Sequence, residues 1–113
     1  MDAQEIRAVI ATSPAAAEAL SSYARHLLNR GAHAEARVAG LRCIGIDPTD
    51  RTALNVLAYV AIARGDDGLS VRLARRILSL DPRDPGGFKM LVLSFACRHR
   101  NGPPPRPTQH RLL

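Results

Sequence analysis

A chain of 113 residues has the length of one domain, and 46% hydrophobic against 23% charged residues is the balance of an ordinary globular protein. At this size roughly 60% of the unfolded surface can be buried, so no disulfide framework or structural metal is needed to hold a core. The net charge of +6 belongs to one end: residues 1–84 hold eleven arginines against ten acids, whereas residues 85–113 hold Lys89, Arg98, Arg100, Arg106 and Arg111 and no acid, which leaves the body without a phosphate-binding composition.

The first predicted element is a short helix over 2–12, with Ile6, Val9 and Ile10 at i, i+3 and i+4. Ser13-Pro14 punctuates, and Pro14 suits the first turn of the next helix, where a missing N–H costs nothing. That helix runs to Asn29 with Leu20, Tyr23, Ala24 and Leu27 as its inward stripe, and Gly31 ends it. A partner helix follows from about His33 to Gly45, with Ala36, Gly40, Cys43 and Ile44 inward. Gly40 has no side chain, which lets a neighbouring helix come close. Asp50 caps a helix to Ala63 that buries Leu54, Leu57, Ala58 and Ala61. After the turn Gly65-Asp66-Asp67-Gly68, a helix from about Leu69 to Leu80 turns Leu73, Ala74, Ile77 and Leu78 inward and Arg72, Arg75, Arg76 and Ser79 outward. The last helix begins near Asp84-Pro85, carries Phe88, Leu91, Val92 and Phe95, and ends near Cys97. From Arg98 the pattern stops, and the run Asn101-Gly102-Pro103-Pro104-Pro105-Arg106-Pro107 reads as an extended, disordered basic tail over 98–113.

Gly45-Ile46-Asp47-Pro48-Thr49-Asp50 returns as Ser79-Leu80-Asp81-Pro82-Arg83-Asp84, with the prolines 34 residues apart (82 − 48), and Pro14 lies another 34 before (48 − 14). A fixed period of this length marks a repeat architecture. With units at 17–50 and 51–84, matching places hold Leu20 and Leu54, Tyr23-Ala24 and Leu57-Ala58, Gly31 and Gly65, Ala36 and Ser70, Cys43 and Ile77. These residues resemble the tetratricopeptide repeat, a unit of two antiparallel helices. The resemblance implies an all-α fold of antiparallel helix pairs, stacked as a short solenoid over residues 1–97. It would hold about two and a half repeats and five to six helices. Residues 2–14 would be a degenerate N-terminal helix and 85–97 a partial third repeat. The aromatic that the family favours at the twenty-fourth place is Gly40 and Ala74 here, so tight, sparse packing is expected between the helices.

No Gly-rich phosphate loop, HExxH or nucleophile elbow is present, so no catalytic residue, metal or cofactor is expected, and the chain reads as non-enzymatic. Cys43 and Cys97 read as small buried hydrophobes. His26 and His33 flank a turn and read as solvated, and Asp66-Asp67 reads as helix capping. Met1–Glu5 has neither the basic nor the apolar region of a signal peptide, and no apolar run approaches a membrane span, so a cytoplasmic protein is expected.

The resemblance also implies that the first helix of each pair lines a concave side. Residues there that face away from the core are Ser21, Arg25, Leu28 and Asn29, then Asn55, Tyr59 and Ile62, then Lys89, Leu93 and Ala96. Such a groove suits an extended peptide or an amphipathic helix. Some family members bind C-terminal carboxylates through a lysine and asparagines in this groove; Ser21 and Arg25 replace the first of these, leaving Arg25, Asn55 and Lys89 as a remnant. The last helix is apolar nearly all round, so Phe88, Met90, Leu93 and Cys97 form an expected apolar terminal interface, for a partner protein or a second copy. The expected function is an adaptor or chaperone. Its size, repeat count and arginine-rich, bacterial-type composition are similar to the type III secretion chaperones. The alternative is a nucleic-acid-associated helical-repeat protein that uses its basic tail; the tail has no aromatics for base stacking.

Overall fold

Five helices open on an aspartate or serine whose side chain takes the backbone N–H three residues on. The Glu5, Ala16, Ala53, Leu69 and Gly87 N–H groups donate to Asp2, Ser13, Asp50, Asp66 and Asp84 at 2.8–3.1 Å. Each such cap satisfies a donor that the helix itself cannot, and contributes about 1 kcal/mol. The structure is a computed structural model that describes the backbone of residues 2–101 and the side chains of residues 2–8 and 13–97. It holds α1 (Ala3–Thr12), α2 (Pro14–Asn29), α3 (His33–Ile46), α4 (Arg51–Ala63), α5 (Asp67–Leu80) and α6 (Pro85–Asn101). No strand occurs among the described residues, so the chain is all-α.

The 34-residue period of the sequence is also the period of the helices. α3 and α5 start 34 apart (67 − 33) and end 34 apart (80 − 46), α2 and α4 end 34 apart (63 − 29), and α4 and α6 start 34 apart (85 − 51). Three-residue turns join α2 to α3 and α4 to α5, so each pair is antiparallel. Both turns need a left-handed residue, and both have glycine there: Gly31 at φ 79° and Gly65 at φ 77°. The Ala32 and Asp66 N–H groups then reach back five residues to the carbonyls of Leu27 and Ala61, at 2.9 and 2.8 Å. The Asp-Pro junctions are also alike. Asp47 accepts the Thr49 N–H at 3.0 Å, and Asp81 accepts the Arg83 N–H at 3.1 Å. At the second junction Arg51 Nη1 bridges Asp81 Oδ2 (2.7 Å) and Asp84 Oδ2 (2.6 Å), tying the start of α4 to the start of α6.

Successive helices pack on one another, and α2 with α4 and α4 with α6 also touch, forming an inner row. The core is built of small residues. Ala24, Leu27, Ala36, Ala39, Val56 and Val60 cluster between the pairs, and Ala58, Ala74 and Met90 cluster further on. Gly40 permits this closeness as its position suggests: a Cβ there would lie 3.1 Å from Cδ2 and Cγ of Leu57. Gly87 does the same for α6, where a Cβ would lie 2.7 Å from Cγ2 of Ile77. A buried hydrogen-bond chain fixes the same joint. Ser70 Oγ donates to Ser94 Oγ at 2.7 Å, and Ser94 Oγ donates to the Met90 carbonyl at 2.6 Å.

Four expectations change. α5 starts at Asp67, since the Asp66 cap sets its first turn two residues before Leu69. α6 continues to Asn101, so residues 98–101 are helix and not the start of an extended tail; residues 102–113 lie outside the described residues. Tyr23 is exposed although Leu57, at the same place one unit later, is buried. The helix α3 covers Leu57, whereas the helix before Tyr23 is α1, only ten residues long, with every side chain from Asp2 to Ala8 exposed. Finally, the row Phe88, Val92 and Phe95 faces away from the stack, while Gly87, Met90 and Ser94 are buried. Residues 34 earlier explain the reversal: Leu54, Ala58 and Ala61 are covered by their own second helix, and α6 has none among the described residues.

Candidate functional site

The inner row of α2, α4 and α6 carries a groove of about 590 Å³. Of the residues assigned to the concave side from sequence, Arg25, Leu28, Asn29, Asn55, Tyr59 and Lys89 line it together. They come from three helices, and the repeat brings them to one strip because each first helix presents the same face. Val56 and Met90 form part of the wall, giving an apolar floor between polar anchors. A second hollow, of about 430 Å³, continues along the row past Arg25, Thr52, Asn55 and Gly86 to the bridged Arg51–Asp84 pair.

Four assigned residues lie elsewhere. Ser21 is buried and donates its hydroxyl to the Glu18 carbonyl at 2.9 Å, so it offers a partner nothing. Ile62 and Leu93 are half-buried against the cluster of Ala58, Ala74 and Met90. Ala96 is exposed on α6 but does not line the groove. Met90, expected on the apolar terminal interface, is 2% exposed. The physical reason is rotation: α6 turns its Gly87–Met90–Ser94 row onto α4 and α5, because Gly87 allows the closest approach. Phe88 does stand on the outer surface, and Cys97 is half-buried.

Two groove features escaped the sequence reading. His33 is half-buried and meets the Tyr59 ring edge-on, with centroids 6.2 Å apart at 78°. It is therefore part of the groove wall and not a solvated turn residue. Such a contact joins residues 26 positions apart (59 − 33) on different units, which no local pattern reveals. Gly86 is the other: a Cβ there would run into the Asn55 amide, so the bare backbone makes room for that side chain against the start of α6. Asp66, by contrast, caps α5 as its spacing suggests.

Burial pushes the Cys43 thiol up to about 11, with Asp50 and Asp47 adding to the effect, and its Sγ donates to the Ala17 carbonyl at 3.1 Å. A protonated thiol in that setting is a packing group, not a nucleophile. Thr49 hydrogen bonds hold the Asp47 carboxyl below its usual range. Among the described residues no three His, Cys, Asp or Glu side chains converge as metal ligands would, and no helix is long and apolar enough to cross a membrane. Compared with known proteins, the chain matches no family model and no curated protein.

Proposed function

We propose that this chain is a non-enzymatic protein-binding module of the tetratricopeptide kind, an adaptor or chaperone that holds a peptide or helix of another protein. The observation that supports this is the convergence of Arg25, Asn29, Asn55, Tyr59 and Lys89 from three helices on one groove. A strip of spaced polar anchors over an apolar floor suits an extended chain: its backbone amides meet the anchors and its side chains meet Leu28, Val56 and Tyr59. Arg25 and Lys89 add positive charge, which favours a segment with carboxylates. A cytoplasmic role beside a secretion system, keeping a subunit soluble before export, fits a small module of this type.

The test is affinity capture from the native host with the full chain and with a double variant, Tyr59→Ala and Lys89→Glu. A partner that binds the native chain and is lost with the variant supports the groove. Nucleic acid co-purifying in place of protein, and released by moderate salt, would reverse the reading.

A further inference from the structure

The outer face of α6 is the largest break in an otherwise regular stack. Phe88, Val92 and Phe95 are 64%, 51% and 47% exposed, whereas Leu54, Ala58 and Ala61, 34 residues earlier, are 4%, 0% and 3% exposed. In both complete pairs this row of the first helix is closed by an antiparallel second helix of 14 residues, α3 or α5. The repeat therefore states the shape of what is missing: an antiparallel helix that turns small residues inward, as α3 does with Ala36, Ala39 and Cys43. Bulky Phe88, Val92 and Phe95 make small partner residues more necessary, because the axes can approach only if one side is slim.

Charge selects among possible occupants. α6 has Lys89, Arg98 and Arg100 and no acid over 85–101, and its neighbour α5 exposes Arg72, Arg75 and Arg76. A second copy docking its own α6 would set these like charges against each other. A helix with acidic flanks would complement them. We propose that the exposed face of α6 takes an amphipathic helix of another protein, with small apolar residues inward and acidic flanks, lying antiparallel to α6 in the place of a missing second helix. This rests on the reading of the chain as a protein-binding module, and it names the partner of the surface beside the groove.

The probe is a pair of labelled synthetic peptides with the sequence of residues 67–80, the helix this protein itself uses for the task. One keeps the native sequence; the other carries Arg72→Glu, Arg75→Glu and Arg76→Glu. Fluorescence anisotropy with the full chain reads binding. At low salt the acidic peptide is expected to bind roughly tenfold more tightly, an advantage that fades as salt screens it. Phe88→Ser and Phe95→Ser, each checked for native helicity, should both abolish binding, and Tyr59→Ala should leave it unchanged. That last control separates the proposal from the groove reading, which survives if the α6 face binds nothing. Equal binding of the two peptides, or binding indifferent to both serine variants, overturns the proposal. So does any sign of another occupant: a concentration-dependent dimer lost in Phe88→Ser, peptide binding seen only after residues 102–113 are removed, or Phe95-dependent sedimentation with phosphatidylserine vesicles.

Discussion

At the N-terminal end α1 turns Asp2, Gln4 and Glu5 to water, whereas at the C-terminal end α6 turns Phe88, Val92 and Phe95 to water. Both ends are half-units: α1 ends 34 residues before α3 (46 − 12), and α6 starts 34 after α4. The N-terminal half is a second helix without its first, and its polar residues let it close the stack as a cap should. The C-terminal half is a first helix without its second, and its inward-type row is left outside. The same residue places are core in one unit and surface in the next, so what a repeat position means depends on the neighbour that is present.

The sharpest way to break this comparison is to truncate one repeat place in two units. Leu54→Ala should cost about 2–5 kcal/mol, as large-to-small core changes do, while Phe88→Ala should stay within about 0.5 kcal/mol. Urea unfolding of both variants checks this, and equal losses would mean that α6 is covered after all. Gly87→Ala comes next. Its Cβ would press on Ile77 and Leu78, so about 1–3 kcal/mol of overpacking cost is expected. Gly45→Ala, with open space around it, should be neutral or mildly stabilising. A melting-temperature comparison of the two separates the close joint at α6 from an unconstrained glycine.

Ser94→Ala should cost about 1 kcal/mol, because Ser70 loses its buried partner but keeps the Asp67 carbonyl at 2.9 Å. Faster hydrogen exchange confined to α6 would locate the effect at the C-terminal joint. The smallest expected effect concerns access. A thiol reagent at mild alkaline pH should modify Cys97 of the end helix before Cys43, which should react only as the molecule opens. Cys43 also sets a pH trend. Its ordinary pKa of 9.0 is raised to about 11 on folding, so its contribution is full below 9 and is lost as pH rises toward 11. Comparing native and Cys43→Ala unfolding curves across that window isolates the term.

Most of the fold was legible because its signals are local. Ser13, Asp50, Asp66 and Asp84 cap helices within three residues of themselves, Gly31 and Gly65 supply the positive φ that their turns require, and the Asp-Pro pairs set the phase. Six groove residues were legible for the same reason, since a period of 34 fixes which face each first helix presents. Ser21 was not, because a hydroxyl that turns back to its own helix looks in sequence like one that faces water.

What the chain alone determined, then, is where helices start, stop and pair. The rotation of each helix about its axis was decided only by tertiary packing. For α4 the two agree, because its apolar residues form a row with a neighbour on each side. For α6 they part: an all-round apolar helix carries no preferred face, so Gly87 and Ser94, through close approach and one buried hydrogen bond, chose which side went in.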